Sequence, residues 1–170
     1  MVRFVLVFAL FLLPLAAQGP APATIAGAVK ATVGQTFDLV IRSAEKMPED
    51  QFGFKPTPEV RSFGQLIGHL ADAGNMFCSA VAGKPNPDPG VEKAKTTKAD
   101  LTAALKAAKE FCVAAVANVD ETTMIEVRGN KIPALNRVIM MNGHTWEHYG
   151  NLVTYLRMKG LVPPSSEPRK

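Results

Sequence analysis

Apolar residues recur at steps of three and four along most of the chain, which is the spacing of one face of an α-helix. Four segments have this pattern, and residues that start or stop helices stand at their ends. The pattern predicts helices over residues 24–47, 62–82, 97–117 and 133–159. Four helices without a convincing sheet predict an all-α fold, a four-helix bundle that occupies residues 24–162.

Two links between these helices are informative. Residues 84–96 form a Pro-rich link that is longer than the roughly 2–8 residues usual between antiparallel helices. About 13 extended residues reach roughly 43 Å, enough to return along a helix, so this link is predicted to be a crossover between parallel second and third helices. Residues 121–132 are predicted to form a short extended excursion with a turn at residues 128–130.

The two cysteines fit the same crossover. Cys78 and Cys112 each lie roughly 23 Å from the N-terminal end of their predicted helix, so they are level only if the two helices are parallel. In an exported protein the pair could form a disulfide. Two separate buried thiols are the alternative, and the sequence leaves both open.

The first residues have the features of an export signal. A positive charge at Arg3 precedes an apolar run over residues 4–13, and Pro14 and small residues follow. The run is shorter than the roughly 20 residues that a membrane span needs. Residues 1–19 are therefore predicted to be a cleaved signal peptide, which makes the mature protein secreted or periplasmic, without membrane attachment.

Composition indicates one globular domain and narrows the partners. Of the 170 residues, 47% are hydrophobic and 20% are charged, as expected for one packed core. A polar tail over residues 163–170 is predicted to follow the bundle. The formal net charge is only +4, with the cationic residues scattered, which argues against nucleic acid as a partner. A small molecule is the expected partner, and the sequence leaves a homodimer open.

Histidine placement supplies the candidate chemistry. The chain contains only three histidines, at positions 69, 144 and 148. His144 and His148 are four residues apart and so project from one helix face, and His69 lies on an inward face of the second helix. Three neutral imidazoles around one divalent ion, with a position left for water, are typical of a catalytic zinc site. Zinc is the expected metal, with nickel, copper and iron as alternatives, and exposed helix histidines without a metal are the competing interpretation.

Two carboxylates and three glycines surround these histidines. Asp72 follows His69 by three residues and Glu147 follows His144 by three. Each is a candidate catalytic residue, because it could orient a ligand through the second ring nitrogen or accept a proton from bound water. Three glycines weaken their helices and are predicted to lie where helices approach closely around the site; they are Gly68, Gly143 and Gly150.

The pattern from His144 to His148 also matches the inverted zinc-protease motif H-x-x-E-H, with Glu147 as general base. Enzymes with that motif need a further ligand well downstream. The segment after His148 has no histidine and only Glu167 in a polar, Pro-rich tail. Protease chemistry is therefore disfavoured, unless His69 lies far from the pair.

Two segments resemble a known family. SFGQLIGHLADAGNMF on the second helix and HTWEHYGNLVTYLRMKGLVPPS near the C-terminus are similar to the DinB-like (DinB/YfiT) superfamily of four-helix bundle metalloproteins. The resemblance covers roughly residues 25–166. It implies an up-down-down-up arrangement of the helices and three metal ligands at His69, His144 and His148. It also implies activities that include transfer and isomerisation with low-molecular-weight thiols.

Two functions from different classes are consistent with these features. The first is a metal-dependent enzyme, a hydrolase or a thiol transferase, that acts on a small substrate. The second is a non-catalytic protein that binds a small ligand and keeps a structural or vestigial metal site. The predicted export signal argues against cytoplasmic thiols as cosubstrates, and the sequence leaves the substrate open.

Overall fold

The computed structural model of the protein describes residues 24–168, so the predicted signal peptide lies outside the described residues. The chain forms five helices within this range: α1 (Ile25–Lys46), α2 (Phe63–Ala82), a short α3 (Val91–Ala94), α4 (Lys98–Val116) and α5 (Ala134–Met158). Two strands, β1 (Met124–Val127) and β2 (Asn130–Pro133), separate α4 from α5. The predicted all-α class is confirmed, with α1, α2, α4 and α5 as the four long helices.

The helix ends follow from local sequence signals. The Thr24 side chain accepts a hydrogen bond from the Gly27 N–H at the start of α1. Ser62 and Gln65 form a reciprocal capping box at the start of α2. Gly83, which ends α2, has a φ of 63°, a left-handed conformation that glycine adopts without steric cost.

Contacts between the helices give their directions. Gly64 faces Leu101 near the start of α2 and α4, and Cys78 is bonded to Cys112 near their ends, so these two helices are parallel. Lys30 reaches the carbonyl of Ala117, and Lys109 lies 2.6 Å from Asp38, so α1 and α4 are antiparallel. In the same way, α2 and α5 are antiparallel, because the Phe77 ring lies under Arg137 and Arg61 contacts Tyr155.

The directions of the long helices along the chain are therefore up, down, down and up. A single core fills the space between them, and its most deeply buried side chains come from all four helices. Because burial of apolar surface is the main favourable term in folding, this core fixes the helices that carry the histidines. Its fully buried members include Val33, Phe37, Leu70, Leu105, Leu152 and Leu156.

The extended excursion predicted over residues 121–132 is confirmed, and it forms a two-stranded hairpin where no sheet was expected. β1 and β2 pair antiparallel, with Val127 opposite Asn130. Arg128 and Gly129 form the connecting turn with φ values of 51° and 78°, the conformation of a tight hairpin turn. Each strand has only four residues, which is too short for an alternating pattern to stand out in a sequence.

The segment predicted as a polar tail is packed against the bundle as far as the structure describes it. Pro164 is buried, and the Ser165 N–H donates a 2.9 Å hydrogen bond to the Tyr149 hydroxyl. Glu167 forms ion pairs with Arg42 and Lys46 near the end of α1. These two ion pairs hold the start of the predicted tail against α1.

None of the helices within residues 24–168 has the length and apolar character required to cross a membrane.

Removal of the disulfide tests how much the covalent link stabilises the parallel pair α2 and α4. Cys78 and Cys112 are fully buried, and they close a loop of 34 residues. Loop-closure entropy predicts that a Cys78→Ala, Cys112→Ala variant loses about 2–4 kcal/mol in the free energy of unfolding, measured by urea denaturation. Reductant should destabilise the wild-type protein and leave this variant unchanged. Equal stability of the two proteins without reductant would contradict the prediction.

Candidate metal centre

The three histidines meet between α2 and α5. His69 lies on α2, and His144 and His148 lie one turn apart on the antiparallel neighbour α5. The Nε2 atoms of His69 and His144 are 3.2 Å apart. The ring centroid of His148 is 4.8 Å from that of His69 and 4.5 Å from that of His144. One nitrogen from each ring lies within 4.8 Å of the other two, which makes this a group that could hold a metal ion.

Hydrogen bonds to the second ring nitrogens determine which atoms face the centre. Nδ1 of His69 lies 3.2 Å from a carboxylate oxygen of Glu92. A carboxylate can only accept, so this nitrogen carries the proton, and Nε2 keeps its lone pair. Nδ1 of His148 lies 3.2 Å from the side-chain amide nitrogen of Asn151, so Nδ1 accepts this hydrogen bond. With the amide turned over, its oxygen would accept from Nδ1–H and leave the lone pair of Nε2 for an ion.

The donor set fits a divalent metal ion. Two ligands of a tetrahedral ion with Zn–N bonds of roughly 2.0–2.1 Å stand about 3.3 Å apart. The 3.2 Å between the Nε2 atoms of His69 and His144 is close to that separation. Imidazole nitrogens suit zinc, copper, nickel and iron, so the donors do not select one metal among these.

The surroundings keep all three imidazoles neutral, as metal ligation requires. Burial is the largest cause that lowers the pKa of His69, His144 and His148 below the ordinary value. The positive charge of Arg61 lowers each pKa further. Each pKa is also lowered because a second protonated imidazole beside the first would be repelled. The negative charge of Glu92 raises the pKa of His69 and His148 in part, but the net direction stays downward.

Glu92 is the residue of the candidate site that the sequence pattern did not reveal. One of its carboxylate oxygens accepts from His69, and the other accepts a 2.9 Å hydrogen bond from Nε of Arg61. Glu92 belongs to α3, a single helical turn inside the Pro-rich link. Four residues are too few to show a helical periodicity, so the pattern could not reveal α3. The only signal for the Arg61–Glu92 pair was that two opposite charges stand in the links on either side of α2.

A close approach between α2 and the link fixes the position of Glu92. A Cβ atom at Gly68 would lie 2.6 Å from the Cα of Glu92, so only glycine allows this contact. The two carboxylate oxygens of Asp72 accept hydrogen bonds from the backbone N–H groups of Val91 and Glu92, at 2.9 and 3.0 Å. Gly68 and Asp72 together hold α3 against α2.

The structure therefore changes the roles expected for the residues next to the histidines. Asp72 binds backbone groups of α3, and Glu92 contacts His69 in its place. Glu147 is exposed on α5, and its role as a proton acceptor stays a prediction. A Cβ atom at Gly143 or Gly150 would have no neighbouring atom within 4 Å, so the prediction that helices approach closely at these two glycines is wrong.

A pocket of about 520 Å³ opens beside the histidines. Its lining includes His148, Asn151 and Tyr155 of α5, together with Arg61 before α2 and Glu92 of α3. His144 does not line this pocket, and its ring packs against Phe77 with centroids 5.7 Å apart. A small molecule in this pocket would contact His148.

The meeting of His69 with the other two histidines also weakens the protease interpretation. The H-x-x-E-H pattern needed a ligand downstream of His148, and the third imidazole comes instead from α2. The cluster is thus formed by two helices of a bundle, which is a common way to build a metal site in this architecture.

Comparison with known proteins agrees with this architecture. Residues 32–152 match the DinB superfamily. The uncharacterized protein YjoA of Bacillus subtilis (strain 168) is 25% identical over 123 residues, which are 69% of this chain and 79% of YjoA. The crystal structure of that DinB-like protein aligns with a TM-score of 0.66 at 20% identity, over 84% of this chain and 99% of the other. A DinB-like protein from Bacillus cereus ATCC 10987 aligns with a TM-score of 0.67 at 17% identity, over 84% and 97% of the two chains.

Fold and site together define an all-α bundle with a three-histidine cluster that could hold a metal ion. The match to a family over more than half of the chain identifies it further: the chain belongs to the DinB superfamily.

Substitution of Gly68 tests the close approach between α2 and α3. A Gly68→Ala variant should lose about 1–3 kcal/mol in the free energy of unfolding, because the new methyl group overlaps the backbone of Glu92. Gly150→Ala is the matched control: it lies in open space on α5, and alanine should be neutral or stabilising by up to about 1 kcal/mol. Urea denaturation of both variants measures the difference. A similar change in the two would refute the close approach.

Removal of the Glu92 carboxylate tests its role as the residue that orients His69. A Glu92→Ala variant should bind zinc about 10–100-fold more weakly, because a metal ligand without its hydrogen-bond partner loses its fixed tautomer and orientation. Competition with a chelating dye measures this affinity. The control is Lys93→Ala, an exposed neighbour on the same turn. If the two variants bind zinc alike, Glu92 has no orienting role.

Proposed function

We propose that the protein is an exported, metal-dependent enzyme that acts on a small molecule, with His69, His144 and His148 as its metal ligands. The observation that carries the proposal is the convergence of three imidazole nitrogens beside an open pocket. Structural zinc sites use four protein ligands, whereas catalytic sites use three and leave a position for water or substrate. The reaction class that we propose is hydrolysis or thiol transfer.

Zinc is the proposed ion, with nickel and iron as alternatives that suit the same imidazole donors. A bound ion would supply Lewis-acid chemistry, since it polarises a substrate or lowers the pKa of a bound water or thiol. The residues of the chain have separate tasks. Burial keeps the imidazoles neutral, Glu92 orients His69, and Asn151 contacts the outer nitrogen of His148.

Export is proposed from the N-terminal pattern of residues 1–19. The disulfide between Cys78 and Cys112 supports this proposal, because such bonds persist in oxidising compartments and are rare in the cytosol. A secreted or periplasmic location would also supply a substrate from outside the cytoplasm. Cytoplasmic thiols would then be unsuitable cosubstrates.

Metal content tests the site without a choice of substrate. Elemental analysis of the mature protein, incubated with zinc and dialysed, should give about one ion per chain. A His144→Ala, His148→Ala variant should lose that ion because only one of the three donors remains. Glu147→Gln is the matched control, since it changes an exposed residue between the two ligands and should retain the ion.

Two results would count against the proposal. Wild-type protein without zinc, or a double-histidine variant that keeps it, would refute the metal site, provided that circular dichroism shows both proteins folded. Activity on a panel of hydrolase and thiol-transfer substrates then tests catalysis. Zinc binding without any effect of its removal on activity would instead favour a small-ligand-binding protein with a structural ion.

A further inference from the structure

One cation occupies a special position beside the three histidines. Arg61 lies in the link just before α2 and lines the pocket together with His148. Its backbone carbonyl accepts a 2.9 Å hydrogen bond from the Tyr155 hydroxyl of α5, which fixes the residue against the bundle. Its Nε donates to one carboxylate oxygen of Glu92, and the other oxygen of that carboxylate contacts His69, so one residue separates the guanidinium from the cluster.

The guanidinium retains donors for a ligand. Arg61 donates from Nε to Glu92, and the described residues provide no hydrogen-bond acceptor for its two Nη groups. The side chain is 42% exposed, so these groups are accessible. Guanidinium groups bind carboxylates in a planar, paired geometry that a lysine ammonium cannot reproduce.

The rest of the pocket limits the size and charge of that ligand. Pro56, Val60 and Leu66 supply apolar surface to the same pocket. Glu59 also lines the pocket. Hydrogen bonds from the backbone and from Thr57 lower the pKa of Glu59, so it is charged at neutral pH. Glu59 and Glu92 place two negative charges beside the single guanidinium, so a ligand with one negative charge is repelled less than a ligand with two.

We propose that Arg61 recognises the carboxylate of a small, singly charged acid with an apolar body, bound in the pocket beside His148. The proposal deepens the proposed function, on which it rests, by naming the substrate class of the same site. Arg61 is then a specificity-determining residue: it holds the acid while the reactive part of the molecule lies toward the histidines. The apolar body of the acid would contact the apolar surface of Pro56, Val60 and Leu66.

Binding of paired acids and amides tests the proposal. The probes are benzoate, 3-phenylpropionate and isovalerate, each compared with its neutral amide. NMR titration of the mature protein measures their affinities, once without metal and once with zinc. Wild-type protein should prefer at least one acid over its amide by about tenfold or more in both states, because a charge-assisted hydrogen bond is lost with the amide.

Three variants separate a direct contact from general charge. Arg61→Gln should remove the preference for the acid. Arg61→Lys should keep only part of it, because lysine retains the charge but not the planar donors. Glu59→Gln changes the pocket charge by the same amount in the opposite sense and should keep or increase the preference. Thermal unfolding and zinc content, measured for each variant, test whether the fold and the metal site are intact.

Each outcome decides between the alternatives. If the Arg61→Gln variant still prefers the acid over its amide, the proposal is overturned. If that variant shows the preference only with zinc bound, the metal holds the acid in place of Arg61. Failure of wild-type protein to prefer any of the acids would overturn it as well. Absence of zinc binding would refute the metal site instead, and the titration without metal would still test Arg61.

Discussion

The parallel arrangement of α2 and α4 is the constraint on which the rest of the structure depends. Adjacent parallel helices cannot be joined by a short turn, so the chain must return along the bundle before α4 begins. The returning link lies over the N-terminal half of α2, where it forms α3. A requirement of connectivity thereby places Glu92 next to a histidine that is 23 residues away in the sequence.

Close contact turns this link into part of the site. Backbone groups of α3 reach α2 only because Gly68 has no side chain, and Asp72 satisfies two N–H groups at the start of the turn. An unpaired buried N–H group is costly. By accepting from these two groups, Asp72 stabilises the contact between α3 and α2 and fixes the orientation of α3. Glu92 then lies between the Arg61 guanidinium, which compensates its charge, and the neutral His69 ring, which donates a hydrogen bond to it.

Local signals account for the parts of the fold that the sequence predicted. Helix caps such as Ser62 and stops such as Gly83 act within a few residues, so the four long helices followed from the pattern. His144 and His148 share a helix face by spacing alone, so the sequence was sufficient to pair them. The position of α3 depends on Asp72 in a different helix, and no local pattern contains that information. The same limit explains why Gly68 could not be distinguished from Gly150, since both weaken a helix but only Gly68 faces another backbone.

The packing around the cluster also determines the direction from which a ligand can reach it. Phe77 covers His144, and beyond it the disulfide at Cys78 and the side chain of Met141 fill the core. The N-terminal end of α2 is different, because the link before it carries Arg61 and leaves a pocket beside His148. The packed helix α5 therefore carries His144 and His148, and the links before and after α2 carry Arg61 and Glu92, which line the pocket. Loops on a rigid scaffold vary more readily than its core, so in this architecture ligand choice can change at the links while the histidine cluster stays intact.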